Sequence, residues 1–79
     1  MVTTTLAALE PGATAKVIQV KGRGSARKRI LDMGMVPGTL IEVIRKAPLG
    51  DPIEFKVKGY HISLRKDDAD FIEVQPNEV

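Results

Sequence analysis

The sequence contains no cysteine and no tryptophan, and only one histidine, His61. Without cysteine there are no disulfides, thiolate zinc sites, iron–sulfur clusters or thiol nucleophiles. One imidazole is too few for a high-affinity transition-metal site built from this chain alone. Aromatic residues are almost as scarce: Phe55, Tyr60 and Phe71, all at positions that read as strand and mostly as inward-facing. Readers of single-stranded nucleic acid stack bases on aromatic platforms worth about 1–3 kcal/mol each. Grooves for proline-rich peptides are aromatic-lined as well, so both functions lack their side chains here. No apolar run approaches the roughly 18 residues of a membrane span. The opening Met-Val-Thr-Thr-Thr-Leu lacks the basic start and apolar run of a signal peptide, so the expected location is the cytoplasm.

What is present is a chain of 79 residues, enough for one small domain over 1–79. A domain this small buries only about 60% of its unfolded surface. Its 43% apolar and 28% charged residues fit a folded globular chain rather than a disordered one. The net charge of +2 is too small to steer a partner, but the charges are unevenly placed. Lys21, Arg23, Arg27, Lys28 and Arg29 fall together without an acid, and Asp67, Asp68, Asp70, Glu73 and Glu78 fall together without a base. Such polarity fits a charged partner or a head-to-tail self-contact.

Period-2 patterning dominates the chain. Ile53, Phe55 and Val57 alternate with Glu54, Lys56 and Lys58, and the alternation resumes after Gly59 with Tyr60, Ile62 and Leu64 on one side. Lys58-Gly59-Tyr60 between the two runs reads as a hairpin connection. Residues 39–46 are apolar on both faces, as in a strand covered on both sides. Residues 14–21 form a similar run, and Phe71–Val74 a short last one. One segment breaks the rhythm: Ala26, Ile30 and Met33 follow helical spacing, so a short helix is predicted over about 25–33, capped by Ser25 and ended by Gly34. Pro37-Gly38 suits a type II turn into the next strand. Leu6 and Leu9 precede the Pro11-Gly12 turn and read as a plug at one end. The predicted fold is mainly β: a small, partly open five-stranded barrel of SH3-like kind with one inserted short α-helix.

Catalytic chemistry finds little support. His61 and Ser63 share a strand face, but no third member or oxyanion hole accompanies them. Asp67, Asp68 and Asp70 lack the spacing of a calcium loop and suit the first turn of a helix instead. Gly22-x-Gly24 is not followed by the Lys-Ser/Thr of a phosphate loop and reads as a turn. Met33 and Met35 are poor metal ligands without cysteine or histidine and read as core filling and cap packing. No enzyme activity, no cofactor and no metal site is expected.

Three segments together carry a resemblance. Arg27–Gly38 (Arg-Lys-Arg-Ile-Leu-Asp-Met-Gly-Met-Val-Pro-Gly), Ala47–Ile53 (Ala-Pro-Leu-Gly-Asp-Pro-Ile) and Ile62–Lys66 (Ile-Ser-Leu-Arg-Lys), in this order, resemble the FeoA family of small cytosolic proteins of bacterial ferrous-iron transport. The likeness runs from Leu6 to Val74. It implies an SH3-like barrel, related to the C-terminal domain of iron-dependent repressors. It also implies a regulatory, non-enzymatic role through protein–protein contact with the permease FeoB, whose cytosolic portion carries a GTPase domain. On that reading the membrane is reached only through the partner. Gly34, Pro37 and Gly38 serve as structural turns. Met35, Val36, Ala47 and Leu49, apolar residues on or beside turns, would form an exposed docking patch with Pro48, Gly50, Asp51 and Pro52. Arg27, Lys28 and Arg29 would supply its charged rim, and Arg65 would anchor the acidic segment. Glu10, Asp32 and Glu73 are the carboxylates a repressor-like metal contact would draw on, without a ligand spacing to support it. The last strand offers an edge for weak homo-oligomer formation. The alternative is a small nucleic-acid-binding β-barrel using the basic stretch 21–29, which the missing aromatics argue against.

Overall fold

The computed structural model describes residues 3–77. The alternating runs become strands: β1 (Thr4–Thr5), β2 (Thr14–Val20), β3 (Leu40–Lys46), β4 (Ile53–Val57), β5 (Tyr60–Leu64) and β6 (Ile72–Pro76). Between them lie α1 (Gly24–Asp32), a four-residue α2 (Lys66–Ala69) and a 3₁₀ turn over Leu6–Ala8. All strand pairs are antiparallel, in the order β1-β6-β2-β3-β4-β5. Register shifts between Val17 and Gln19 in β2 and between Val43 and Arg45 in β3 mark bulges. Bulges bend a strand and increase its twist, which lets one sheet coil around its own core. Leu6, Val17, Ile30, Val43, Phe55, Ile72 and Val74 meet there with no exposed surface. The edge strands are β1 and β5, which do not pair with each other, so the barrel is open. The last strand, β6, is paired on both sides by β1 and β2 and does not offer the free edge expected of it.

The fold is the expected mainly β one, with six strands rather than five. The addition is β1, which pairs Thr4 with Val74 and Thr5 with Glu73. Two residues have no periodicity to read; β6 makes them a strand. Leu6 and Leu9 are buried as the plug reading required. The helix begins at Gly24, and no side chain caps it, so the Ser25 cap is not formed. Gly34 ends it at φ 99°, and Gly38 at φ 94° completes the Val36–Thr39 turn, closed by the Thr39 N–H to the Val36 carbonyl at 3.1 Å. At the β4–β5 turn, Lys58 (φ 50°) and Gly59 (φ 87°) both take the left-handed conformation required by a type I′ hairpin.

Three directions differ from expectation. Tyr60 and Phe71 are 43% and 39% exposed rather than inward. Tyr60 opens β5 beyond the core, and its hydroxyl donates to the Met33 carbonyl at 2.6 Å. Strand β3 is not covered on both faces either: Leu40 is 68% exposed, because among the described residues no element packs over the outer face at its start.

Candidate protein-docking surface

The β3–β4 hairpin closes through the six residues Ala47 to Pro52. The Ala47 N–H donates to the Pro52 carbonyl at 3.0 Å and the Gly50 N–H to the Ala47 carbonyl at 2.7 Å. These bonds and two prolines fix the loop's shape, leaving Leu49 at its tip with 97% of its surface in solvent. Pro48, Asp51 and Pro52 are exposed, and Ala47 and Gly50 half-buried. Asp51 also has a structural partner. Its Oδ1 accepts the Lys66 backbone N–H at 3.0 Å, so the loop caps the start of α2.

The basic helix is less free than its sequence suggests. Arg29 Nη2 lies 2.9 Å from Asp68 Oδ2, and Arg27 Nε donates to the Val20 carbonyl at 3.2 Å. Lys21 pairs with Glu73 at 3.8 Å. Among the described residues the acidic segment is therefore anchored by Arg29 and Lys21, not by Arg65. Of the five clustered cations, only Arg23 and Lys28 lack an ion pair or a backbone acceptor among the described residues. Within the stretch 21–29 that leaves two cations without a partner. Arg29 and the loop do share one side of the molecule. Clefts beside each are both lined by Ser63 of β5, which joins the helix flank to the loop flank.

Met35 does not belong to this surface. It is fully buried, because the chain turns back after Gly34, with the Met35 N–H directed to the Ile30 carbonyl at 3.4 Å. Val36 is 37% exposed but belongs to the turn that feeds the start of β3, whereas the loop leaves its end. Six steps of strand, about 20 Å, separate the two. The expected patch is thus divided between opposite ends of β3. Gly34, Pro37 and Gly38 occupy turns, as expected.

Beside the loop sits a charge cluster that the sequence did not announce. Glu54 accepts from Arg45 Nε at 2.9 Å and meets His61 Nδ1 at 2.9 Å. The Arg45 hydrogen bond holds the Glu54 carboxyl below its ordinary value of 4.5; desolvation opposes this and the His61 contact reinforces it. His61 therefore turns to Glu54 rather than to Ser63. The signal was the β4–β5 register, which sets Lys56 opposite His61 and makes Glu54 its diagonal neighbour. Among the described residues, no three His, Asp or Glu side chains converge as metal ligands. Glu10 pairs with Lys46, and Glu73 accepts from the Thr3 hydroxyl.

The sequence profile of the FeoA domain matches residues 4–76. An Fe(2+) transport protein A/Fe(2+) transporter FeoB fusion protein from Porphyromonas gingivalis is 47% identical over 70 residues. That match takes in 89% of this chain and 8% of the relative, so the chain spans under a tenth of the fusion protein's length. The solved structure of a FeoA-like protein from Clostridium acetobutylicum superposes with a TM-score of 0.88 at 40% identity, covering 95% of this chain and 87% of the other. The zinc-complexed FeoA of Stenotrophomonas maltophilia, described as an SH3 domain protein, superposes at 0.82 with 23% identity and coverage of 95% and 96%. At that identity the last likeness speaks for the fold alone.

Proposed function

This chain belongs to the FeoA family, and from that premise we propose that it is a non-enzymatic accessory of bacterial ferrous-iron transport that docks on the cytosolic, GTPase-bearing portion of a FeoB-type permease. The observation that carries the reading is the fusion relative, in which a homologue of this chain is covalently joined to FeoB. Tethering raises the effective concentration of two modules, an advantage only where they work side by side.

The docking edge is the Ala47–Pro52 loop, with Leu49 as its anchor and Lys28 on its cationic rim. A loop already closed by two internal hydrogen bonds loses little entropy on binding. Burying a leucine that is 97% exposed contributes about 1.5–3 kcal/mol. The test is a titration of this chain against the soluble cytosolic portion of FeoB from the same organism, with and without a GTP analogue, at two salt concentrations. Saturable binding is expected, weakened about tenfold or more by Leu49→Asp, while Lys28→Glu mainly slows association and reduces its salt dependence. Leu49→Asp binding as tightly as the parent would move the docking edge elsewhere. Absence of binding in every nucleotide state would overturn the FeoB reading for the isolated portions.

A further inference from the structure

The opposite end of the β3–β4 hairpin carries a second surface built differently from the loop. Register pairs Lys16 of β2 with Leu40 of β3. The β3–β4 register pairs Ile41 with Val57, and one step further sets Lys58 opposite Leu40. Lys16, Leu40 and Lys58 thus form one row across the outer face of the sheet, all three exposed. In the next row Lys56 lies opposite Glu42. Leu40, Lys56 and Lys58 line an open cleft of about 310 Å³, whose one carboxylate is Glu42. None of these three lysines has an ion-pair partner among the described residues. Lys58 also stands at φ 50°, in a turn position that ordinarily takes Asn, Asp or Gly. A strained lysine beside an exposed leucine points to a use for its charge.

We propose that this face is a second docking site, for an extended segment of another protein that carries one aliphatic side chain between carboxylates. The aliphatic group covers Leu40, and acids two residues to either side meet Lys16 and Lys58, which are about 10 Å apart with flexible stems. Charge complementarity sets the sign of the partner, and the leucine sets its apolar centre. A second copy of this chain fits less well. Its own acidic corner has Asp68 committed to Arg29 and the Phe71 ring against Gly22. A head-to-tail contact between identical copies would build rings or filaments, which the concentration dependence of the shifts would reveal. The site goes beyond the FeoB reading, because it lies about 20 Å along β3 from the Ala47–Pro52 loop.

The experiment is an amide NMR titration of the whole ¹⁵N-labelled chain with acetyl-Glu-Ser-Leu-Ser-Glu-amide at low and high salt. The control peptide is acetyl-Lys-Ser-Leu-Ser-Lys-amide. Saturable shifts gathered at Lys16, Leu40, Lys56 and Lys58 are expected, with binding weakened by salt and absent for the control. Lys16→Glu with Lys58→Glu, and separately Leu40→Ser, should each weaken binding about tenfold. All three positions are exposed, so retained spectral dispersion shows that the variants fold. No saturable shifts, equal binding of the lysine peptide, or shifts centred on the Ala47–Pro52 loop would each overturn the proposal. Shifts at the patch that follow protein concentration alone would also overturn it, by making the occupant a second copy.

Discussion

Gly34 answers two demands at once. Its φ is 99°, and a Cβ there would stand 2.5 Å from Tyr60 Oη, which is itself bonded to the neighbouring Met33 carbonyl. Gly34→Ala is therefore expected to destabilise by at least the 1–2 kcal/mol that a left-handed alanine costs, roughly, with the steric conflict added. Tyr60→Phe loses one hydrogen bond, about 0.5–1.5 kcal/mol. Since phenylalanine also removes the obstructing oxygen, the double variant should lose less than the sum in urea denaturation; strict additivity would show that Oη is not the obstacle. Glu54 gives a prediction in pH. Its carboxyl is held below 4.5, chiefly by Arg45, so its contribution to stability is fully present above that value and disappears as pH falls through the lowered folded one. Denaturant midpoints of the parent and Glu54→Gln should differ above pH 4.5 and converge below it. A gap that persists in acid would mean that Glu54 acts through shape rather than charge.

The loop and α2 depend on each other at the scale of elements. Four residues cannot sustain a helix alone, and α2 receives its cap from Asp51, fifteen positions earlier in the chain. Asp51→Ala should cost about 1 kcal/mol in thermal or urea unfolding, with Asp51→Asn retaining most of the parent stability. If alanine matched aspartate, the latch would be dispensable. No local pattern in the sequence could reveal it, because a cap is ordinarily sought just before its helix. Period-2 alternation in β4 and β5, helical spacing in Ala26–Met33 and the glycine turns were legible, since each is specified within a few neighbouring residues. Leu49 was legible as exposed for the same reason: proline and glycine enclose it. Met35 was not, because its burial depends on the chain turning back toward Ile30. Nor was the separation of Val36 from Leu49, which is set by the full length of β3.

The open sheet gives the molecule two usable ends at its largest scale. Principal extents of 33 × 31 × 22 Å leave room for different partners at surfaces about 20 Å apart. Sites farther apart than about 7–10 Å, with no shared partner, ordinarily contribute independently. Leu40 and Leu49 are 68% and 97% exposed, so replacing either removes almost no core contact and should leave stability within about 0.5 kcal/mol of the parent. Leu40→Ser should therefore weaken the acidic-peptide response about tenfold while leaving the FeoB titration unchanged, and Leu49→Asp should do the reverse. A doubly substituted chain would fold normally and bind both partners more weakly, with losses equal to those of the single variants. If Leu40→Ser weakened both interactions, the two ends would belong to one extended interface, and the permease would have to span the length of the β3–β4 hairpin. Independent losses would instead make this small barrel a connector, with one end for the transporter and the other for an acidic segment of a second protein.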